Sequence, residues 1–404
     1  MKVLYISTIV SQKALNEAMK RDPKFNGHAI QKFTRLINKG LVCNDVEVHV
    51  LSTFHLPNIG YYYFRRPETE DGVRFHYIPS LNLRSVRIVW LILYCFLKVF
   101  LWGLHNRKEK AVICDVLNVS ACIGALAASR LTAIRCIGLM TDMPGLGLGN
   151  NNITVGHEKK LSLASRINRK YLNQFTHYVF ITEHMNKAIN TKHRPYIVME
   201  GLVDTDMRTL HSSTHKKNDK RIILYAGGIH ERYGLKMLIE GFMQANIINT
   251  ELWIYGSGPL VQYLQSYSNR DSRIRYMGIR PNDEVVTAEL NATLLVNPRP
   301  THEEFTKYSF PSKNLEYMAS GTPVLTTKLP GMPKEYYPFV YLFNKGETTE
   351  GYAEVLRSVL ALPPESLEKK GHEAREWILT NKNCIKQTSR IIELINKNDS
   401  DGKP

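Results

Sequence analysis

Short apolar runs and longer amphipathic stretches alternate along the whole chain. In the first half KVLYIS, VEVHVLS, VRFHYIP, AVICDVL, AIRCIGLM, HYVFIT and YIVME read as strands, rich in β-branched and aromatic residues. Helical patterns lie between them near 26–39, 86–104, 120–131, 159–174 and 183–191. Near residue 211 the alternation stops at LHSSTHKKNDK, which is polar and has no apolar period, so a linker is predicted there. A second series follows, with strands RIILYAG, ELWIYG, IRYMGI, ATLLVNP, TPVLTT and FVYLF. Its helices fall near 234–246, 259–268, 282–290, 311–320 and 348–361, and a charged amphipathic stretch over 365–397 closes the chain. Such alternation predicts an α/β protein whose parallel sheets carry helices on both faces. The expected organisation is two Rossmann-like domains: 1–205, a linker 206–219, then 220–364. A helical segment, 365–404, is expected to pack back towards the first domain. Open α/β sheets take ligands at the carboxyl ends of their strands, so the expected site is a cleft between the two domains.

Charge narrows the partners. The chain has 404 residues and a net charge of +16, from 53 Lys+Arg against 37 Asp+Glu. That surplus favours nucleic acid, a phosphate-bearing substrate or an acidic membrane face. No nucleic-acid-binding motif is present, and aromatics and cations are scattered, so nucleic acid is not expected as a partner. The six cysteines form no CxxC pair and read as reduced thiols of a cytosolic protein. The opening MKVLYISTIVSQ reads as a first strand, not a signal peptide. From Ile88 to Leu104 the chain is nearly all apolar, with Lys98 inside it, Arg84 and Arg87 before it, and Arg107, Lys108 and Lys110 after it. It is short for a span, which needs about 20 apolar residues. A buried crossover helix and a helix lying in a membrane interface both fit.

Three motifs in the second half carry chemistry. In LYAGGIHERYGLKMLIEGF a strand ends at Ala226, Gly228 permits a close turn, and Arg232 stands where a helix begins. LWIYGSGPL places Gly256 and Gly258 after a strand, which either loop closure or ligand contact explains. In KYSFPSKNLEYMASGTPVL, Pro311 suits the first helical position and Ser309 the cap. Lys313 and Glu316 then fall one turn apart on one face. Helix amides and Lys313 suit a diphosphate, and Glu316 can accept two hydrogen bonds from a ribose diol. The plainer alternative is a surface ion pair. Elsewhere Asp142 ends a strand in GLMTDMPGLG and could take a proton from a hydroxyl, or simply cap a turn before Pro144. Glu183 and His184 in FITEHM sit in a similar place.

These pieces, with IYGSGP and LLVNPRP, resemble the donor domain of glycosyltransferase family 4, the GT-B fold of two facing Rossmann-like domains. The likeness is close over roughly 220–345; the first half resembles the family in architecture more than in motif. It implies retaining transfer of a sugar from a nucleotide-diphosphate donor, a UDP-sugar or GDP-sugar, without a bound metal or other cofactor. It also implies a glycan acceptor, lipid-linked given the 88–104 helix, in capsule, lipopolysaccharide or exopolysaccharide assembly. The expected place is the cytoplasm, peripheral on the inner membrane face. The family's paired glutamates match only in part: the second falls on Glu316, the first on Tyr308. Glu304, or the amides of Ser309 and Phe310, is then expected to reach the sugar. The family's diphosphate-gripping Arg and Lys fall on Gly228 and Tyr233, leaving Arg232 with Lys313, and Arg299 as added charge or a loop cap. Gly27, in Asn26-Gly27-His28, stands where the family keeps a Gly-rich loop. Asn118 and Ser120 stand near the family's sugar-contacting His. The expected catalytic group is Asp142, Arg232, Lys313 and Glu304. The alternative is a non-catalytic or differently specialised nucleotide-binding Rossmann protein, such as a nucleotide-sugar-modifying enzyme; an epimerase or NAD-dependent enzyme would need first-strand glycines that KVLYISTIVSQKA lacks.

Overall fold

In a computed structural model, residues 1–21, 28–54, 62–81, 84–105, 109–143, 171–209 and 220–397 are described. The expected Gly27 and most of the 159–174 helix lie outside them. The chain divides into two units, one of Met1–Leu202 with Cys384–Pro404, the other Val203–Asn383.

The first unit contains β1 (Lys2–Ser7), α1 (Gln12–Arg21), α2 (His28–Cys43), β2 (Glu47–Ser52), β3 (Tyr62–Tyr63), β4 (Glu68–Glu70) and β5 (Val73–Tyr77). It continues through β6 (Ser80–Leu81), α3 (Arg84–Leu104), β7 (Lys110–Asp115), α4 (Val119–Leu131) and β8 (Arg135–Met140). After β8 come β9 (His177–Phe180), α5 (Glu183–Ile189) and β10 (Tyr196–Val198). Its sheet runs β10-β9-β8-β7-β1-β2-β5-β4, parallel except for β4, which pairs antiparallel with β5. The strands are apolar and buried along most of their length, as a sheet covered on both faces requires.

The helix α3 is not a core helix. Only 17% of Val86–Leu104 is buried, at a mean hydropathy of 1.8. One face packs on α4, where the small residues Ala121, Gly124, Ala125 and Ala128 admit it closely. A Cβ on Gly124 would stand 2.2 Å from the Ile92 carbonyl oxygen. The opposite face leaves Val86, Val89, Leu93, Leu97, Leu101 and Leu104 exposed, one helical stripe.

The second unit contains β11 (Arg221–Ala226), α6 (Leu235–Ala245), β12 (Thr250–Tyr255), α7 (Val261–Arg270), β13 (Ile274–Gly278) and α8 (Asn282–Asn291). Then come β14 (Leu294–Asn297), α9 (Ser312–Ser320), β15 (Val324–Thr326), β16 (Tyr341–Leu342), α10 (Thr349–Leu360) and α11 (Pro364–Asn381). Its sheet is parallel throughout, in the order β13-β12-β11-β14-β15-β16. The terminal stretch forms two helices: α11 stays in the second unit, and α12 (Cys384–Asn396) belongs to the first. There Asn44 Nδ2 donates to the Ile385 carbonyl at 2.9 Å and to Thr388 Oγ1 at 3.0 Å, tying α2 to α12.

Candidate functional site

In the second sheet the chain moves outward from β11 through β12 to β13, then returns to β14 and moves the other way. Such a reversal leaves a crevice beyond the carboxyl ends of the two central strands. The loops after β11 and β14 and the start of α9 therefore meet where a ligand belongs.

The loop after β11 turns at Gly227 and Gly228, where Tyr225 Oη donates to the Gly228 carbonyl at 2.7 Å. Beside it runs the loop after β12: the Gly227 amide donates to Tyr255 O at 3.1 Å and the Ile229 amide to Ser257 O at 2.8 Å. A Cβ on Gly256 would lie 1.9 Å from Gly227 O, and one on Gly258 would lie 2.3 Å from Ile229 O. Two backbones in contact explain both of these glycines, and loop closure suffices without a ligand.

Aromatic rings carry two cations here. The Arg299 guanidinium lies 4.7 Å from the Tyr233 ring centre and 5.8 Å from that of Phe305. Arg232 lies over Phe305 at 4.3 Å and approaches Glu303 at 3.8 Å. Burial, with Arg232 nearby, pushes the Arg299 pKa down. Arg299 meets no carboxylate among the described residues, so its charge rests on aromatic faces alone. Tyr233 stands at the family's Lys position and supplies that platform. Arg232 also lines a cavity of about 600 Å³ with Gly234, Lys236 and Glu303.

Helix α9 begins without a side-chain cap. Pro311, not Ser309, occupies the cap position, and it has no side-chain oxygen to accept from the first amides. Ser309 Oγ is buried and makes no hydrogen bond among the described residues. Among the described residues no side chain caps the helix start, which leaves donors for an anion. Lys313 Nζ reaches Glu316 Oε2 at 2.8 Å and Glu289 Oε1 at 3.9 Å. Burial alone would lower the Lys313 pKa, but Glu316 and Glu289 override it and raise it. Glu289, on α8, is 1% exposed and escaped the sequence reading, since nothing in TAELNA marks its side chain as inward. Helix α9 is tied to the end of β11: buried Tyr317 Oη donates to Ala226 O at 3.1 Å and accepts from its amide at 2.8 Å. Asn297 Nδ2 donates to Asn314 Oδ1 at 2.7 Å, tying β14 to the first turn of α9.

Of the other expected residues, Phe310 is a core side chain, its ring 5.1 Å from that of Tyr336, so only its backbone is available. Tyr308 ends a short 3₁₀ turn, Glu304–Lys307, and the Glu304 carboxylate makes no ion pair among the described residues. Asp142 stands exposed just past β8 and accepts from the Met143 amide at 2.8 Å. Partial withdrawal from water raises its pKa, an effect that solvent screening limits at so open a position. Glu183 is exposed and accepts from Tyr196 Oη at 3.2 Å. A carboxylate the sequence reading missed is Asp115 at the end of β7: burial pushes its pKa to about 6, and its Oδ1 accepts from the Leu117 amide at 3.1 Å. Its position, closing the buried strand KAVICD, was the available signal.

Residues 220–361 match the protein family described as Glycosyl transferases group 1. Together with the two parallel-sheet units, that domain makes the chain a glycosyltransferase of GT-B fold. A sucrose-phosphate synthase from Thermosynechococcus elongatus superposes with a TM-score of 0.66 at 15% identity, covering 98% of each chain. The lipopolysaccharide outer core galactosyltransferase WaaB, in its apo form, gives 0.62 at 14% identity over 98% of this chain and 99% of its own. Anabaena HepE in complex with UDP and glucose gives 0.62 at 13% identity over 97% and 98%. At these identities the likeness is one of fold. Curated protein sequences offer no match to the chain.

Proposed function

We propose that the chain is a retaining glycosyltransferase that takes a sugar from a UDP-sugar or GDP-sugar and adds it to a lipid-linked glycan in surface polysaccharide assembly. The observation that carries the donor half is the uncapped start of α9, with Lys313 and Glu316 paired at 2.8 Å one turn inside it. In the bound state Lys313 exchanges Glu316 for phosphate oxygens, and the freed Glu316 carboxylate accepts from the ribose hydroxyls. Arg299 and Arg232 add charge from the facing loop. As the donor bond breaks, negative charge grows on the leaving phosphate, and these fixed cations and amides stabilise it. Glu304, or the amides of Ser309 and Phe310, holds the sugar hydroxyls, and Asp142 accepts the acceptor's proton. The charge on the leaving group is met by protein cations, so transfer proceeds without a metal.

Relatives in fold support parts of this reading. HepE is described in complex with UDP and glucose, and with UDP-glucose. WaaB is a lipopolysaccharide galactosyltransferase. The exposed stripe of α3, with Trp90 and Trp102 on the same helix, suits a helix lying in a membrane interface. We place the protein on the cytoplasmic membrane face on that ground. Titration calorimetry with UDP and GDP tests the donor site. Lys313→Ala and Glu316→Gln should each weaken the preferred nucleotide about tenfold, or about 1.4 kcal/mol, without lowering the melting temperature. Equal affinity in variant and parent removes both residues from the site.

A further inference from the structure

Helix α8 carries a carboxylate in an unfavourable place. Glu289 lies in its last turn and is 1% exposed. Burial penalises the charge, and the partial negative charge of the helix C-terminus repels it. The cation that reaches it is Lys313, whose Nζ stands 3.9 Å from Glu289 Oε1. The backbone fixes this approach as well: Thr322 Oγ1, just past α9, donates to the Glu289 carbonyl at 2.7 Å. The same ammonium donates to Glu316 Oε2 at 2.8 Å. Lys313 therefore meets two carboxylates, one closed off from water and one whose side chain is 23% exposed.

The two carboxylates differ in what a ligand can do to them. Where water reaches Glu316, a hydroxyl group reaches it too, so this carboxylate can trade its lysine for hydroxyl donors. Glu289 has no such exchange open to it. Losing Lys313 would leave it an uncompensated buried charge, which costs far more than opening a half-exposed pair. The asymmetry fixes which contact gives way: Lys313 stays with Glu289, and Glu316 leaves.

We propose that Glu289 is a positioning residue, which retains Lys313 on the buried side and so releases Glu316 to the ribose diol of the donor. The proposal rests on the nucleotide-sugar reading above and deepens it, because recognition of the ribose then depends on a side chain shut off from the ligand. An ammonium has three donors, so Lys313 can face Glu289 and the phosphate oxygens together. Without the Glu289 charge, Glu316 takes over as the carboxylate partner of Lys313 and is drawn off the ribose.

Titration calorimetry of the full chain with UDP and GDP, each beside its 2′-deoxy form, reads the ribose contact as a ratio of affinities. The parent should bind the preferred ribonucleotide about tenfold more tightly than its deoxy form. Glu289→Gln, which keeps the shape and removes the charge, should reduce that ratio to about twofold by weakening the ribonucleotide. Its melting temperature falls as well, as loss of any buried pair requires, but a purely structural role leaves the ratio unmoved. Adding Lys313→Met to Glu289→Gln removes the competitor for Glu316, so overall affinity drops further while the ratio returns to about tenfold. If Glu289→Gln does not fold, Glu289→Asp, its carboxylate one carbon further back, should give an intermediate ratio. An unchanged ratio in the Glu289 variant overturns the proposal, as does a ratio that stays low once Lys313→Met is added. A parent that binds the ribo and deoxy forms equally, or binds neither UDP nor GDP, overturns the donor reading itself.

Discussion

A guanidinium resting on a tyrosine ring, with no carboxylate beside it, keeps its charge available to a ligand. Arg299 is held in that way over Tyr233, whereas Arg232 shares its charge with Glu303 at 3.8 Å. Arg299→Met should therefore weaken UDP or GDP binding about tenfold. Arg232→Ala should lower kcat more than donor affinity, because charge on the leaving phosphate grows towards the transition state. Calorimetry beside steady-state rates separates the two, and an Arg299→Met protein with parental affinity would remove that residue from the site. Asp115 provides a pH test. Burial raises its pKa to about 6, so the folded chain holds a proton that the unfolded chain releases near pH 4. Its contribution to stability is fullest below pH 4 and is lost as pH rises to about 6. Asp115→Asn keeps an acceptor for the Leu117 amide, and its stability relative to the parent should grow by about 2 kcal/mol from pH 4.5 to pH 7.5. Urea midpoints at the two values measure this, and a pH-independent difference contradicts it. The pairing of Lys313 with Glu316 was legible in the sequence because both lie on one helix at fixed spacing. Glu289 was not, because its approach to Lys313 depends on how α8 packs against α9.

Elements show the same division. The strands carrying the buried sheets could be read from their apolar runs, and α9 from its Pro, its stripe and its closing Gly321. Helix α1, QKALNEAMKR, was missed: only Ala14, Leu15 and Ala18 are buried in it, too few for a clear period. The short strand β4, ETE, has no apolar pattern and exists only through its pairing with β5. In α3 nearly every position is apolar, so periodicity could not say which side faces out. The outward side is Val89, Leu93, Leu97 and Leu101, while Phe96 stacks on Phe100 and Trp90 donates to Pro79. Replacing Val89, Leu93 and Leu97 by Ser should release the protein from anionic phospholipid vesicles in a flotation assay, with the melting temperature held. Replacing Trp90, Leu91 and Phe96 by Ser should lower the melting temperature by several degrees. A stripe variant that floats as the parent does would show that α3 does not hold the membrane.

At the scale of the molecule, fold class followed from alternation alone, since a strand–helix repeat can be closed only as parallel sheets with covered faces. Strand order did not follow. It is the order that creates a reversal between β11 and β14 in one unit and between β1 and β7 in the other. Those reversals put the loops after β11 and β14 beside one crevice and the uncapped start of α4 beside another. The sugar, nucleotide and linkage are set by loop shape, which residue spacing does not encode. The central claim is that the chain breaks the bond between a sugar and a nucleotide diphosphate with retention, using its own cations. Proton NMR of the full chain against a panel of UDP-sugars and GDP-sugars, in excess EDTA, reads that directly. One donor should be consumed, and its sugar should first appear with the donor's own anomeric configuration, at a rate that Lys313→Ala lowers at least tenfold. Loss of turnover in EDTA with rescue by Mg²⁺ or Mn²⁺, or a sugar released with inverted configuration, would contradict it.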